Sequence, residues 1–297
     1  MGEKKVKQYN KQQYLEHNPF CYCCGADATT TDHIPTRAYF TKRKWPEGYE
    51  FPCCYDCNQE TRIDELVVAF LLNLRVTGNS HENEKKLLTL AKGLKNNAPD
   101  ILEEWQKSMP ISDEDTKKSL DEFGPIGAEL HKHNYKPFDI GPLTIKKIDR
   151  FVTKLTQALY YKHTGKILEG CVLLERHNFY SQTEETFEKK LEDILSSCNE
   201  LAVPERENKT MEDQFFYRYG IDNELGALLA IIVFSDQFIF RVIAISDHIM
   251  TKLIEKEGHK DIKQALEVHQ VQLKHHPDGI QGKFPHTDFQ RQKAKKR

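Results

Sequence analysis

Two Cys-x-x-Cys pairs near the start of the chain predict a zinc site. Tetrahedral zinc is held by four soft donors, and each Cys-x-x-Cys turn can direct two thiolates at one ion. The preferred ligands are Cys21, Cys24, Cys54 and Cys57. These four form two regular turns on either side of a 29-residue segment, whereas the adjacent Cys23 and Cys53 leave the ligand set open. The alternative is a group of buried free thiols.

An Asp-His pair, Asp32-His33, lies on the segment between the two cysteine pairs. Threonines precede it and Pro35 follows it, so the pair is expected at the end of a β-strand. Asn58 directly follows the last cysteine and should lie close to this pair. Carboxylate and amide oxygens suit Mg²⁺ or Mn²⁺, and a neutral imidazole can take a proton from water. These residue types are therefore suited to metal-assisted hydrolysis.

The segments CYCCG, TTTDHIPTRAYF and FPCCYDCNQE together resemble the zinc-containing branch of the HNH, or ββα-metal, endonucleases. Their order is particularly similar to that of the recombination endonuclease VII group. The resemblance covers residues 18–75, about a fifth of the chain. It implies that Asp32 and Asn58 bind a catalytic divalent metal, and that His33 is the general base that activates water against a phosphodiester.

The sequence departs from this family at two positions. The third HNH residue, usually a His on the helix after Asn58, has no His counterpart, and Asp64 or Glu65 is nearest in spacing. Endonuclease VII has a second His two residues after the base, where this chain has Pro35. The resemblance therefore does not imply junction-resolving specificity.

Basic and aromatic side chains follow the Asp-His pair. They are Arg37, Tyr39, Lys42, Arg43, Lys44 and Trp45. Such interleaving suits phosphate contact and base stacking, although a solvated hairpin loop explains it equally well. The chain has 43 Lys and Arg against 45 Asp and Glu, so any nucleic-acid surface must be local. The basic tail from Gln290 is either a disordered solubilising end or a phosphate tether.

The first residues, MGEKKVKQYNKQQY, are charged and polar, and they resemble neither a secretory signal nor a membrane span. Eight cysteines in such a chain indicate a reducing compartment, where thiols bind metal and do not form disulfides. The expected location is therefore the cytoplasm, without membrane association.

The expected fold class is α+β, with an N-terminal zinc-stabilised ββα-metal (HNH) nuclease core, then a helical segment and a C-terminal α+β domain. The proposed boundaries are 1–17 for an N-terminal arm, 18–78 for the nuclease core, 79–142 for the helical segment and linker, 143–275 for the C-terminal domain and 276–297 for the basic tail. The chain is long enough to bury one large core or two modest ones.

Apolar spacing predicts a helix from Ile63 to Leu74, with Thr61 and Asp64 as its capping box. Two or three polar helices are expected over 81–122, and a long amphipathic helix should end near Gly165. A loop-rich passage and a domain seam are expected between them, marked by Gly124-Pro125, Pro137 and Gly141-Pro142. Further along the chain, strands are expected over 167–174, 215–220, 227–234 and 238–245, and a helix over 183–198.

The leading hypothesis is a metal-dependent HNH endonuclease that cuts nucleic acid, DNA in preference to RNA. Zinc would be structural and Mg²⁺ or Mn²⁺ catalytic. The second domain would supply targeting, homo-oligomerisation or a surface for a partner protein. Phage defence, restriction and mobile elements are settings that the resemblance suggests. The alternative is a zinc-stabilised nucleic-acid-binding or adaptor protein without catalysis.

Overall fold

A computed structural model of the protein describes residues 11–40, 45–74, 81–121, 124–132, 136–177, 200–235, 238–247 and 267–270, together with a few single positions. The described chain begins with helix α1 over 11–17. An antiparallel hairpin of β1 (Thr30–His33) and β2 (Glu50–Cys53) follows. The register pairs His33 with Glu50, so the Asp-His pair ends its strand, as predicted.

Two helices complete the N-terminal part. Helix α2 (Tyr55–Glu60) starts directly after β2, and α3 (Arg62–Asn73) follows it. A short 3₁₀ helix (Arg37–Tyr39) lies in the connection between the strands and packs on α3. The order strand, strand, helix agrees with the prediction for this segment. The predicted capping box is wrong, because the Thr61 side chain makes no cap hydrogen bond at the start of α3.

The helical segment contains four described helices. They are α4 (His81–Asn97), α5 (Pro99–Ser108), α6 (Asp113–Asp121) and α7 (Gly124–Lys132). The first three confirm the polar helices expected over 81–122. Gly124-Pro125, predicted as part of a loop, instead opens α7, where proline near a helix start loses no hydrogen bond. A Cβ at Gly127 would lie 1.7 Å from the Leu120 carbonyl oxygen, so glycine allows α6 and α7 to pack closely.

The longest helix, α8 (Pro142–Thr164), lies between the N-terminal part and a large sheet. Gly165 ends it in the left-handed conformation, with φ 69°, as the glycine after the apolar periodicity predicts. Helix α8 packs on α3 on one side and on strands of the sheet on the other. It is therefore a central element between the two halves of the chain, which also touch directly, for example through the Tyr49 and Tyr217 hydroxyls at 3.1 Å.

The C-terminal half forms a six-stranded antiparallel sheet. Its strands, in spatial order, are β10 (Glu267–Gln270), β3 (Gly170–His177), β9 (Phe238–Ser246), β8 (Ala227–Phe234), β7 (Phe216–Asp222) and β4 (Glu200–Ala202). A small hairpin of β5 (Glu205–Arg206) and β6 (Lys209–Thr210) stands apart. The expected strands are confirmed, with β3 starting three residues later than predicted. The helix expected over 183–198 and the basic tail lie outside the described residues.

One hydrophobic core joins these parts. It includes the cysteines between Cys21 and Cys57, the inner face of α3, most of α8, and sheet residues such as Phe215 and Phe234. The fold is therefore mixed α+β, as predicted. No helix in the described ranges is long and apolar enough to cross a membrane.

Candidate metal centre and hairpin site

Four cysteine side chains meet at the base of the β1–β2 hairpin. The sulfur atoms of Cys21, Cys24, Cys54 and Cys57 all lie within 4.8 Å of one another, and all four residues are buried. Cys24 Sγ and Cys54 Sγ are 3.7 Å apart. Zinc–sulfur bonds of about 2.3 Å in a tetrahedron give sulfur–sulfur distances of about 3.8 Å. The cluster therefore fits a structural metal such as zinc, and the preferred quartet is the one that the fold brings together.

Backbone geometry presets both cysteine turns. Gly25 follows the first pair with φ 74°, and its N–H donates to the Cys21 carbonyl at 2.9 Å. This conformation is accessible to glycine at little cost and closes the turn around the sulfurs. In the second pair, the Cys57 N–H donates to Cys54 Sγ at 3.4 Å, at the start of α2. Hydrogen bonds within the chain therefore form both cysteine turns.

The thiols share their protons within this cluster. Hydrogen bonds from Cys23 and Cys24 lower the pKa of Cys21, whereas the bonds to Cys21 raise the pKa of Cys24 and of Cys57. Cys53 Sγ lies 3.9 Å from Cys21 Sγ, so the extra cysteines adjoin the quartet.

Asp32 faces the interior. It is 4% exposed, and its Oδ2 accepts a hydrogen bond from the Tyr22 hydroxyl at 2.9 Å. Lys154 Nζ, from the middle of α8, lies 2.7 Å from the same oxygen. The carboxylate of the predicted metal ligand is therefore neutralised by a buried ammonium group.

The same ammonium group binds two further residues. Lys154 Nζ donates to Thr61 Oγ1 at 2.6 Å and to Glu65 Oε1 at 3.3 Å. Burial raises the pKa of Glu65 to about 7, and the charge of Asp32 adds to this effect while Lys154 opposes it. Burial alone would lower the pKa of Lys154, but the two carboxylates reverse the shift and raise it. The Thr61 hydroxyl is therefore part of this network, which explains why it makes no cap hydrogen bond at the start of α3.

Asp64 also faces α8. Its side chain is fully buried, with Arg150 Nε 3.1 Å and Lys147 Nζ 3.2 Å from its oxygens. Burial raises the pKa of Asp64 even though these two cations act to lower it. Asp64 and Glu65 were the candidates for the third HNH residue. Both bind basic side chains of α8 in this structure.

His33 points away from Asp32, as neighbouring residues on a strand must. Its imidazole is 21% exposed, and its Nε2 lies 2.9 Å from Glu50 Oε1, directly across the hairpin. Arg37 Nη2 lies 2.5 Å from the same nitrogen. The Trp45 ring packs edge-on against the imidazole at 5.3 Å between ring centres. His33 is therefore the member of the Asp-His pair that reaches the surface.

Two guanidinium groups lie over the Trp45 ring. Arg37 lies 3.4 Å and Arg206 4.3 Å from the centre of its ring. Arg206 belongs to the β5–β6 hairpin, whose Glu205 carbonyl accepts from the Glu47 N–H at 2.9 Å. The C-terminal half thus contributes a basic side chain to the Trp45 ring that packs on His33, and Glu47 and Glu207 lie near the same guanidinium group. Lys42, Arg43 and Lys44 lie outside the described residues.

Asn58 lies on the same side of the hairpin as Asp32. Its Nδ2 donates to Thr30 Oγ1 at 3.1 Å, and Thr30 precedes Asp32 by two positions on one strand face. Asp32 and Asn58 nevertheless do not form a site that fits a divalent cation, because Asp32 Oδ2 already binds Lys154 and Tyr22. Among the residues that the structure describes, the cysteine quartet is the single metal-compatible cluster of His, Cys, Asp and Glu side chains.

One face of α8 contacts the buried part of the site, namely the cysteine cluster and the carboxylates of Asp32 and Asp64. Its residues contact the N-terminal part at spacings of three and four, the period of a single helix face. They are Lys147 and Arg150 on Asp64, Lys154 on Asp32, Gln157 on the Cys23 carbonyl at 3.0 Å and Tyr161 on Asn18 at 3.3 Å. The cysteine cluster and the hairpin are therefore supported by a helix that begins 69 residues after α3 ends.

Sequence reasoning missed Glu50, Lys154 and Arg206. Glu50 had a detectable signal, because it stands opposite His33 once the hairpin register is drawn. Lys154 and Arg206 gave none, since their partners lie about a hundred or more residues away.

Comparison of the chain with protein-family models, with curated proteins and with solved structures finds no match.

Proposed function

We propose that this protein is an HNH-type endonuclease that hydrolyses phosphodiester bonds of nucleic acid, DNA in preference to RNA. The observation that carries the proposal is the setting of His33. The imidazole stands at the loop end of a hairpin whose other end adjoins the four cysteines, and Glu50 and Arg37 both reach its Nε2. A fixed imidazole with an acid and a guanidinium group is suited to proton transfer beside a phosphate.

The two partners of His33 require opposite protonation states of its Nε2. Arg37 can only donate, so its contact requires an unprotonated Nε2. The Glu50 carboxylate only accepts, so its contact requires a proton on Nε2. Arg37 must first move from Nε2 to the negative charge of the phosphate, which frees the lone pair of Nε2 to take a proton from the attacking water. Glu50 then stabilises the resulting imidazolium. The new oxygen–phosphorus bond then replaces the bond to the leaving oxygen, which takes a proton from solvent water, and the imidazolium returns its proton to solvent before the next turnover.

The two predicted metals differ in their support. Cys21, Cys24, Cys54 and Cys57 would hold a zinc ion that fixes the hairpin and takes no part in the reaction. Mg²⁺ or Mn²⁺ bound by Asp32 and Asn58 is what the resemblance implies, but the contacts of Asp32 with Lys154 do not favour it. The proposed chemistry is therefore assigned to the residues around His33.

Nicking of supercoiled plasmid tests the proposal, with labelled single-stranded RNA as the second substrate. Each is incubated with Mg²⁺, with Mn²⁺ and with EDTA. His33→Ala should reduce cleavage by about 10²-fold or more, the usual scale for a positioned general base. His131→Ala is the matched control, because His131 also pairs with a carboxylate, Asp113, at 3.2 Å but lies far from the hairpin. Equal cleavage by His33→Ala and wild type would remove this site from the reaction.

A zinc-stabilised nucleic-acid-binding or adaptor protein without catalysis is the second candidate function. One observation favours it, namely that Asp32 is buried behind Lys154 and does not face a substrate. An endonuclease and a nucleic-acid-binding protein both predict binding to nucleic acid, an adaptor does not, and only the endonuclease predicts strand breaks. Saturable binding with intact plasmid and RNA in every metal condition would favour this candidate. Cytoplasmic location, a partner protein and a setting in phage defence, restriction or a mobile element remain predictions.

A further inference from the structure

Lys154 has the surroundings of a bound cation. Its side chain is 3% exposed, and its three ammonium hydrogens have three oxygen acceptors. These are Asp32 Oδ2 at 2.7 Å, Thr61 Oγ1 at 2.6 Å and Glu65 Oε1 at 3.3 Å. The Tyr22 hydroxyl donates to the same Asp32 oxygen. Carboxylate and hydroxyl oxygens gathered around one positive charge are also the environment that a hard metal ion prefers.

We infer that the Lys154 ammonium group occupies the place at which an HNH-type site would hold its divalent cation. The inference rests on the proposed function only in taking Asp32 as the ligand position of such a site. A divalent ion on Asp32 Oδ2 would lie about 2.1 Å from that oxygen, and hence less than about 5 Å from Lys154 Nζ. Two cations so close in a buried environment repel each other strongly. The wild-type protein therefore binds no divalent ion at Asp32.

This substitution of an ammonium group for a metal has two consequences. Catalysis by His33 proceeds without an ion at Asp32, so EDTA does not stop it as long as the cysteine cluster keeps its zinc. The pocket of Asp32, Thr61 and Glu65 is also a latent cation site. Removal of the lysine charge, with the side-chain volume kept, opens it to Mn²⁺ or Mg²⁺.

Mn²⁺ binding, followed by electron paramagnetic resonance on full-length zinc-loaded protein, tests the inference. The proteins compared are wild type, Asp32→Asn, Lys154→Met and the double variant of the last two. Wild type and Asp32→Asn should bind Mn²⁺ equally weakly. Lys154→Met should gain one Mn²⁺ site per chain, at least tenfold tighter, and the double variant should lose it. Zinc content and circular dichroism establish that each variant is folded, and Lys154→Gln replaces Lys154→Met if the latter does not fold.

Two results would overturn the inference. The first is Mn²⁺ binding by wild type that Asp32→Asn removes, because the ion would then share the pocket with Lys154. The second is a folded Lys154→Met or Lys154→Gln protein without a new site. Cleavage is measured separately, so a protein that shows the expected Mn²⁺ pattern and cuts nothing would reject the proposed function alone. An active protein with Asp32-dependent Mn²⁺ binding in wild type would reject the inference alone.

Discussion

Cys24 Sγ and Cys54 Sγ lie 3.7 Å apart, across thirty residues of chain that contain the whole first strand and its loop. The two cysteines belong to turns on opposite sides of the hairpin base. An ion between them would close this loop, much as a disulfide closes one. The position of His33 at the other end of the hairpin therefore depends on this contact.

The first prediction is that the purified protein carries about one zinc per chain. Cys57→Ser should release it and lower the melting temperature, because binding energy at a structural zinc site is also folding energy. Cys53→Ser is the matched control, since Cys53 is equally buried and adjoins the quartet without belonging to it. Elemental analysis and thermal unfolding measure both effects. Loss of zinc in Cys53→Ser and retention in Cys57→Ser would show that the ligand set is different.

The second prediction concerns Glu50. Glu50→Gln keeps the shape of the side chain but removes the charge that stabilises a protonated His33. Cleavage should fall by about tenfold, less than in His33→Ala, because the base itself remains. The rate is measured with the plasmid and RNA substrates, beside zinc content and melting temperature. A Glu50→Gln rate equal to wild type, in folded protein, would show that Glu50 plays no part in proton transfer.

The third prediction compares two carboxylates that share Arg150. Asp64 is fully buried, whereas the Glu60 side chain is 60% exposed, and the arginine lies 3.1 Å from the first and 3.3 Å from the second. Asp64→Asn should lower the free energy of unfolding by about 1 kcal/mol or more, since it turns a buried amide donor towards two cations that have lost their carboxylate partner. Glu60→Gln should change it by less than about 1 kcal/mol. Urea unfolding of both variants gives the comparison, and equal losses would contradict it.

The fourth prediction is a loss of stability in mild acid through His163. Its ring stacks on Tyr219 at 3.9 Å, and its Nε2 lies 2.8 Å from the Tyr217 hydroxyl. Burial, and then the charge of Lys162, lower the pKa of His163 from 6.5 to about 4. The unfolded chain therefore takes up a proton before the folded one does. This contribution to stability is present above about pH 6.5 and is lost as the pH falls towards 4.

His163→Gln measures that contribution, because glutamine can keep a hydrogen bond but does not titrate. Between pH 7.5 and pH 4.5, wild type should lose about 2 kcal/mol more unfolding free energy than the variant does. Urea unfolding at the two pH values gives the difference, and the carboxylates common to both proteins cancel. Equal losses in the two proteins would show that His163 titrates normally in the fold.

Local signals in the sequence predicted the elements well. The cysteine spacing identified the quartet, Pro35 placed His33 at a strand end, and Gly165 marked the end of α8. Each of these depends on neighbours within a few residues of chain. The helix that starts at Gly124 was missed because glycine and proline favour a turn as readily as they start a helix.

The arrangement of the site could not be predicted in the same way. Lys154 stands in an amphipathic helix, where a lysine normally faces solvent, and only the approach of the hairpin reveals it as buried. The apolar spacing of α3 predicted that Asp64 and Glu65 lie near its start. It did not predict that basic residues of α8 would pair with their carboxylates. Partners so distant in sequence leave no periodic pattern. A residue that suits a metal in sequence can therefore be neutralised by a cation from elsewhere in the chain.

The row of contacts from Lys147 to Tyr161 along α8 has a consequence for modularity. A fragment that ends at residue 78 would contain every cysteine of the quartet and the Asp-His pair, but not the cations that neutralise Asp32 and Asp64. Two carboxylates would then have to be hydrated, and the apolar surface around them would be opened to water. The first quarter of this chain is therefore not expected to fold as an independent unit. Transplanted to another protein, it would need a helix with the same charge spacing to receive it.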